Sequence, residues 1–122
     1  KAKELNIYDN LFVGDIVDVL GSVREKYDLF VALDVLIYVG DVESIFKAIR
    51  TYCHRESLFV FSIEVQEKDG YSLLKSSRYA HSDSYIMNQA AGSFVLVDSQ
   101  NVRLRKEGNN WVNGKIYIFK VA

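Results

Sequence analysis

The stretch YDLFVALDVLIYVGDV, residues 27 to 42, decides the fold. Its first part, Leu29 to Leu33, is an apolar run as long as one buried strand. Asp34 stands where that run ends, and a second apolar cluster, Val35 to Val39, follows. Gly40-Asp41 then reads as a turn into a helix. A buried parallel strand that carries a carboxylate to its C-terminal end marks the place where open α/β sheets bind ligands. Asp34 is therefore the first candidate for a site.

Working outward, Asp41 is placed to cap a helix from Val42 to about Cys53. Val42, Ile45, Phe46, Ile49, Tyr52 and Cys53 fall on one face of it, and Glu43 and Lys47 form an i,i+4 pair on the other. His54 to Glu56 reads as a polar connection. SLFVFSI, residues 57 to 63, is a second apolar strand ending on an acid, Glu64. Strand, helix and strand in this order make a right-handed βαβ unit. Toward the N-terminus, Leu11 to Val13 reads as a short strand ending at Gly14-Asp15. Ile16, Val19 and Leu20 have helical spacing after it.

Toward the C-terminus, Val65 to Ser77 reads as a long irregular connection, and long connections often carry function. Ser82 or Asp83 caps a helix to about Ala91, with Gly92 as its stop. Phe94 begins a strand with a bulge or bend expected at Asp98 to Asn101. Val102 and Leu104 alternate with Arg103 and Arg105, the pattern of a half-exposed strand. Lys106 to Asn110 turns a hairpin, and Gly114 to Val121 returns. The expectation is one domain over residues 1–122.

Composition bounds the function class. Of the 122 residues, 49% are hydrophobic and 25% charged, with a net charge of −1. That is ordinary globular composition, without the basic footprint of a nucleic-acid binder. The single Cys excludes an internal disulfide and fits a reducing, cytoplasmic setting. No apolar run approaches the ~20 residues of a membrane span. Two distant His and one Cys do not make a metal-ligand set.

The pieces LFVGDI at 11–16, YDLFVALDVLIYVGD at 27–41, SLFVFSIE at 57–64, GYSL at 70–73 and RYAHS at 78–82, followed by a hairpin, resemble a known family. It is the class I S-adenosylmethionine-dependent methyltransferases, in particular bacterial methyltransferase-like proteins, some fused to tetratricopeptide repeats. The likeness spans nearly the whole chain and matches the C-terminal two-thirds of such a domain. It implies a Rossmann-like, three-layer α/β/α methyltransferase sheet with a C-terminal antiparallel hairpin. It also implies methyl transfer from S-adenosylmethionine to a small-molecule or protein acceptor. By the same resemblance, Asp15 and Ile16 would contact the adenine, and Leu33 and Asp34 would line the methionine side.

The family's Gly-rich turn, with its ribose-binding acid, has no counterpart here, because the seven glycines are isolated and no G-x-G occurs. That turn lets the backbone approach the cofactor closely. Its absence leads to the expectation of a partial domain, without the first two strands and with cofactor bound weakly or not at all by this chain alone. Without those strands the 27–33 strand would expose an edge that invites pairing with a second copy. The competing readings are a non-catalytic α/β association module and half of a nucleotide-dependent oxidoreductase.

Each candidate side chain carries a functional and a structural reading. Asp15 is an adenine ligand or a turn acid. Asp34 faces the cofactor or caps Val35–Tyr38. Glu64 touches substrate or ends its strand. His81 is a candidate general base beside Tyr79, or a histidine packed at a helix start. Tyr38, Tyr71 and Tyr85 line an acceptor pocket or pack with their hydroxyls at solvent. Arg103 and Arg105 read as the solvated face of the hairpin, and Cys53 as a buried helix residue.

Overall fold

The computed structural model describes residues 26–122. The expected strand at Leu11–Val13, the helical turn at Ile16–Leu20, and the candidates Asp15 and Ile16 lie outside these residues. Within them the order is β1 (Tyr27–Ala32), a 3-10 turn (Leu36–Tyr38), α1 (Glu43–Thr51), β2 (Cys53–Val65), β3 (Tyr71–Leu73), β4 (Tyr79–His81), α2 (Asp83–Ala90), β5 (Phe94–Glu107) and β6 (Asn110–Val121). This is a mixed α/β sheet of six strands with two helices, in keeping with a Rossmann-like methyltransferase topology. No helix among the described residues is long and apolar enough to cross a membrane.

β2 is the spine of the sheet. On one side it pairs in parallel with β1, from Leu29↔Leu58 to Ala32↔Phe61, and further along with β4 at Glu64↔Ala80. On the other side it pairs antiparallel with β6, from Leu58↔Lys120 to Glu64↔Gly114. β6 pairs in turn with β5 along a long hairpin. The reversed final strand expected from the sequence is thus present. Among the described residues, β1 has a hydrogen-bonded strand neighbour on one side only.

Both helices pack on one face of the sheet. Phe30, Phe59, Phe61, Ile63, Tyr117, Phe119 and Phe94 point to that face and meet Phe46 and Ile49 of α1 and Ile86 and Ala90 of α2. Phe46 sits at the centre, 5.4–6.5 Å from the rings of Phe59, Phe61, Phe94 and Phe119. Burying one such ring stabilises the fold by about 2–3 kcal/mol. The opposite face carries Leu29, Val31, Leu58 and Val95, all exposed.

The differences from the sequence reading have local causes. β2 begins at Cys53, not at Ser57, because the polar residues His54 to Glu56 are tied in. Ser57 Oγ accepts from His54 N at 2.9 Å and donates to the Tyr27 carbonyl at 2.5 Å. Cys53 is buried as expected, but on a strand and not a helix. The 65–77 connection contains β3, which pairs antiparallel with β4. The irregularity expected at Asp98–Asn101 is a register shift at Leu96/Asp98, and a second shift follows at Arg103/Arg105.

Candidate functional site

β1 ends at Ala32, and the chain leaves the sheet through Leu33 and Asp34. Asp34 takes φ +57, the left-handed region. For a residue with a Cβ that conformation costs about 1–2 kcal/mol, less for Asp than for most. Its N–H donates to Ser62 Oγ at 3.0 Å, which fixes the turn to the neighbouring strand. Ser62 is buried on β2, on the face away from the helices. Strain of this kind persists where the surroundings over-determine it, and such positions cluster at functional sites.

Asp34 opens onto a cavity of about 220 Å³ lined also by Ile37, Tyr38, Arg78, Leu104 and Arg105. Tyr38 is 65% exposed. Glu64 is buried behind this lining and accepts from Arg105 Nη2 at 2.9 Å. Arg78 Nη1 donates to Glu107 Oε1 at 2.8 Å. Arg105 Nε lies 3.5 Å from the same oxygen, buried and without a hydrogen bond. Arg105 therefore belongs to the interior of the site and is not the solvated residue that alternation along the strand predicts. The register shift at Arg103/Arg105 turns it inward.

The other candidates form a second group around the Gly40-Asp41 turn. His81 Nε2–H donates to the Gly40 carbonyl at 2.9 Å, and the ring is fully buried. Burial depresses the His81 pKa, opposed by its bonds to the Gly40 and Val39 carbonyls. The ring is neutral with Nδ1 as a bare lone pair, buried and unpartnered among the described residues. Tyr85 stacks on it at 6.0 Å, and Tyr71 lies 6.1 Å away. Tyr71 and Tyr79 meet edge-to-face at 6.1 Å. Tyr85 Oη accepts from Val42 N and donates to Asp41 Oδ1, so the cluster fixes the start of α1. A Cβ on Gly40 would lie 2.7 Å from Tyr71 and 2.8 Å from Tyr79, which is why glycine stands there.

The structure thus brings Asp34 and Tyr38 to one cavity, ties Glu64 to it only through Arg105, leaves Leu33 exposed next to Asp34, and places Tyr71, Tyr79, His81 and Tyr85 in a second cluster. The sequence reading did not single out Ser62, Arg78 or Arg105 as site residues. A lone Ser in the apolar run at 58–63 is the one signal that points to Ser62.

An S-adenosylmethionine-sized ligand does not fit the Asp34 cavity alone. The cavity is smaller than the ~300–1,000 Å³ of ordinary ligand pockets, and the described residues hold no glycine turn to cradle the cofactor. The cavity opens just beyond the C-terminal end of β1.

No protein-family model and no curated protein matches the sequence. Solved structures do match its fold. A SAM-dependent methyltransferase from Methanosarcina mazei aligns with a TM-score of 0.63 at 12% identity, over 84% of this chain and 64% of its own. The N-methyltransferase NodS from Bradyrhizobium japonicum, solved with S-adenosyl-L-homocysteine, aligns at 0.66 and 15% identity over 88% and 52%. TehB from Haemophilus influenzae aligns at 0.71 and 12% identity over 98% and 43%. This chain thus spans between 43 and 64% of the length of those proteins. At such identities the likeness carries the fold: the chain has a class I SAM-dependent methyltransferase-like fold.

Proposed function

We propose that the chain serves S-adenosylmethionine-dependent methyl transfer, supplying the wall at the C-terminal ends of β1 and β2. The carrying observation is Asp34, held in the left-handed region by Ser62 where an apolar parallel strand ends. Matching folds include proteins solved with S-adenosylhomocysteine or S-adenosylmethionine, which supports the cofactor class. On this reading Leu33 and Asp34 face the methionine side, Asp15 and Ile16 the adenine, and Tyr38 and Glu64 the acceptor. His81, with Tyr79, Tyr71 and Tyr85, fixes the Gly40-Asp41 turn as found. It becomes a base only if that cluster opens toward the cavity.

The test is calorimetric titration of the chain with S-adenosylhomocysteine. One wall buries part of such a ligand, so weak saturable heat is expected, near a millimolar dissociation constant, or about −4 kcal/mol. Absence of saturable heat at several millimolar would overturn the cofactor assignment for this chain.

A second reading, a non-catalytic association module, is favoured by the β1 edge. Unpaired on one side among the described residues, that edge and the exposed Leu29 and Val31 beside it offer pairing groups and apolar surface to a second copy. Sedimentation equilibrium reads it directly. A dimer that Val31→Lys dissociates supports association through β1, and a monomer at 100-fold varied concentration removes it.

A further inference from the structure

The register shift at Arg103/Arg105 parts two arginines that strict alternation along β5 would put on one face. Arg103 stands opposite Asn113 and Arg105 opposite Val112, successive residues of β6, so the two side chains leave opposite faces of the hairpin. Arg105 goes with Glu64 to the face away from the helices. Arg103 goes to the helix side with Asn101, Trp111 and Asn113: Asn101 lies opposite Lys115, whose ammonium reaches Asp83 at the start of α2. There Val65, Asn101, Val102, Arg103, Asn113 and Gly114 line a second cavity of about 420 Å³, within the ~300–1,000 Å³ of ordinary ligand pockets. Among the described residues, Arg103 carries the only charge on that lining. The acids of the adjoining elements are engaged elsewhere, Glu64 with Arg105, Glu107 with Arg78 and Asp83 with Lys115. The Arg103 guanidinium lies over the Trp111 ring, 5.6 Å from its centroid. A guanidinium held on an aromatic face keeps its N–H edge for a planar acceptor.

We propose that this cavity binds an organic carboxylate, as a ligand site separate from the Asp34 cavity and independent of the methyl-transfer reading. The carboxylate accepts a two-point pair from the Arg103 guanidinium, and the exposed Asn101 and Asn113 carboxamides donate to its remaining lone pairs. Val65 and Trp111, both partly exposed, give apolar surface to the body of the ligand. A cation would meet a guanidinium and no carboxylate, so like-charge repulsion selects against it. One guanidinium balances one negative charge, which suits a monoanion with an apolar body better than a phosphate dianion.

The probes are sodium benzoate and benzylammonium chloride, alike in ring and opposite in charge, with sodium phosphate as a third. Each is titrated into the ¹⁵N-labelled chain at constant ionic strength. Benzoate is expected to shift the Val102 and Gly114 amides and the Trp111 indole N–H saturably, near a millimolar dissociation constant, and benzylammonium is not. Phosphate should bind at least about 5-fold more weakly than benzoate. Arg103→Gln, at an exposed position, should weaken benzoate binding at least about 5-fold. Lys106→Gln removes another exposed charge from the same hairpin and should change it by less than about 2-fold. Equal binding of benzylammonium, phosphate as tight as benzoate, equal losses in the two variants, or no saturable benzoate shift would each overturn the proposal. None of the substituted residues lines the Asp34 cavity, so this result and the S-adenosylhomocysteine titration fail separately.

Discussion

Ser62→Ala tests whether Asp34 is held or merely found in its conformation. The substitution removes one oxygen from a buried position and leaves the β2 backbone intact. It deprives the Asp34 N–H of its 3.0 Å acceptor. A net hydrogen bond contributes about 0.5–1.5 kcal/mol, and a donor left buried without a partner costs about 1–3 kcal/mol. Asp34 is itself exposed, so water can reach part of the turn, and the lower figures apply. The expected loss is about 1 kcal/mol by urea denaturation, or about 4 °C in thermal midpoint for a domain of this size. Strain at φ +57 is of similar magnitude. Without Ser62 the turn should therefore relax, and the Asp34 amide should lose hydrogen-exchange protection. Asp34→Gly removes the strain, because glycine takes φ > 0 freely. In that background Ser62→Ala should no longer alter the turn conformation. A loss below about 0.3 kcal/mol with unchanged Asp34 protection would refute the argument that β2 fixes this turn.

Two further outcomes follow from the same geometry. His81 is buried and neutral, with its pKa depressed, while in the unfolded chain it titrates near its ordinary value of about 6.5. The unfolded state binds the proton first, so stability should fall as pH drops below about 6.5 and level off beneath the folded pKa. His81→Phe should flatten that part of the profile, measured by thermal midpoint between pH 7.5 and 5; an unchanged slope would contradict the assignment. Arg105→Ala leaves Glu64 buried without its ion pair and should cost about 2–3 kcal/mol, below the range for fully buried pairs because Arg105 is 24% exposed. Arg103→Ala, whose guanidinium lies over Trp111 on the hairpin surface, should cost under about 1 kcal/mol, and equal losses for both would remove the distinction.

The core of the fold was legible because it rests on periodicity. The run at 29–33, the helical spacing from Val42 to Tyr52 and the run at 57–63 form β1, α1 and β2, but β1 exposes Leu29 and Val31 on one face where the unbroken apolar run predicts a buried strand. Ser82 was legible as a cap, since a Ser ahead of a helix start accepts from the N3 amide, here Tyr85 N at 3.1 Å. What stayed hidden depends on contacts distant in sequence. The polar start of β2 exists because Tyr27 accepts from Ser57, thirty residues away. β3 and β4 are three residues each, too short to show a period. Asp34 was legible as the end of a strand, but its left-handed turn is set by a serine 28 residues away. The inward turn of Arg105 comes from a register shift that the alternating pattern cannot announce.

The central claim is that the C-terminal end of β1, at Leu33 and Asp34, is the ligand-facing part of this chain. The direct measurement is ¹⁵N–¹H correlation spectroscopy of the labelled chain titrated with S-adenosylhomocysteine. The account predicts that, among residues 26–122, the largest shifts fall at Leu33, Asp34 and Ser62, and that Ser62→Ala reduces them. Largest shifts on the exposed face at Leu29, Leu58 and Val95, or none at Asp34 at any concentration reached, would contradict it.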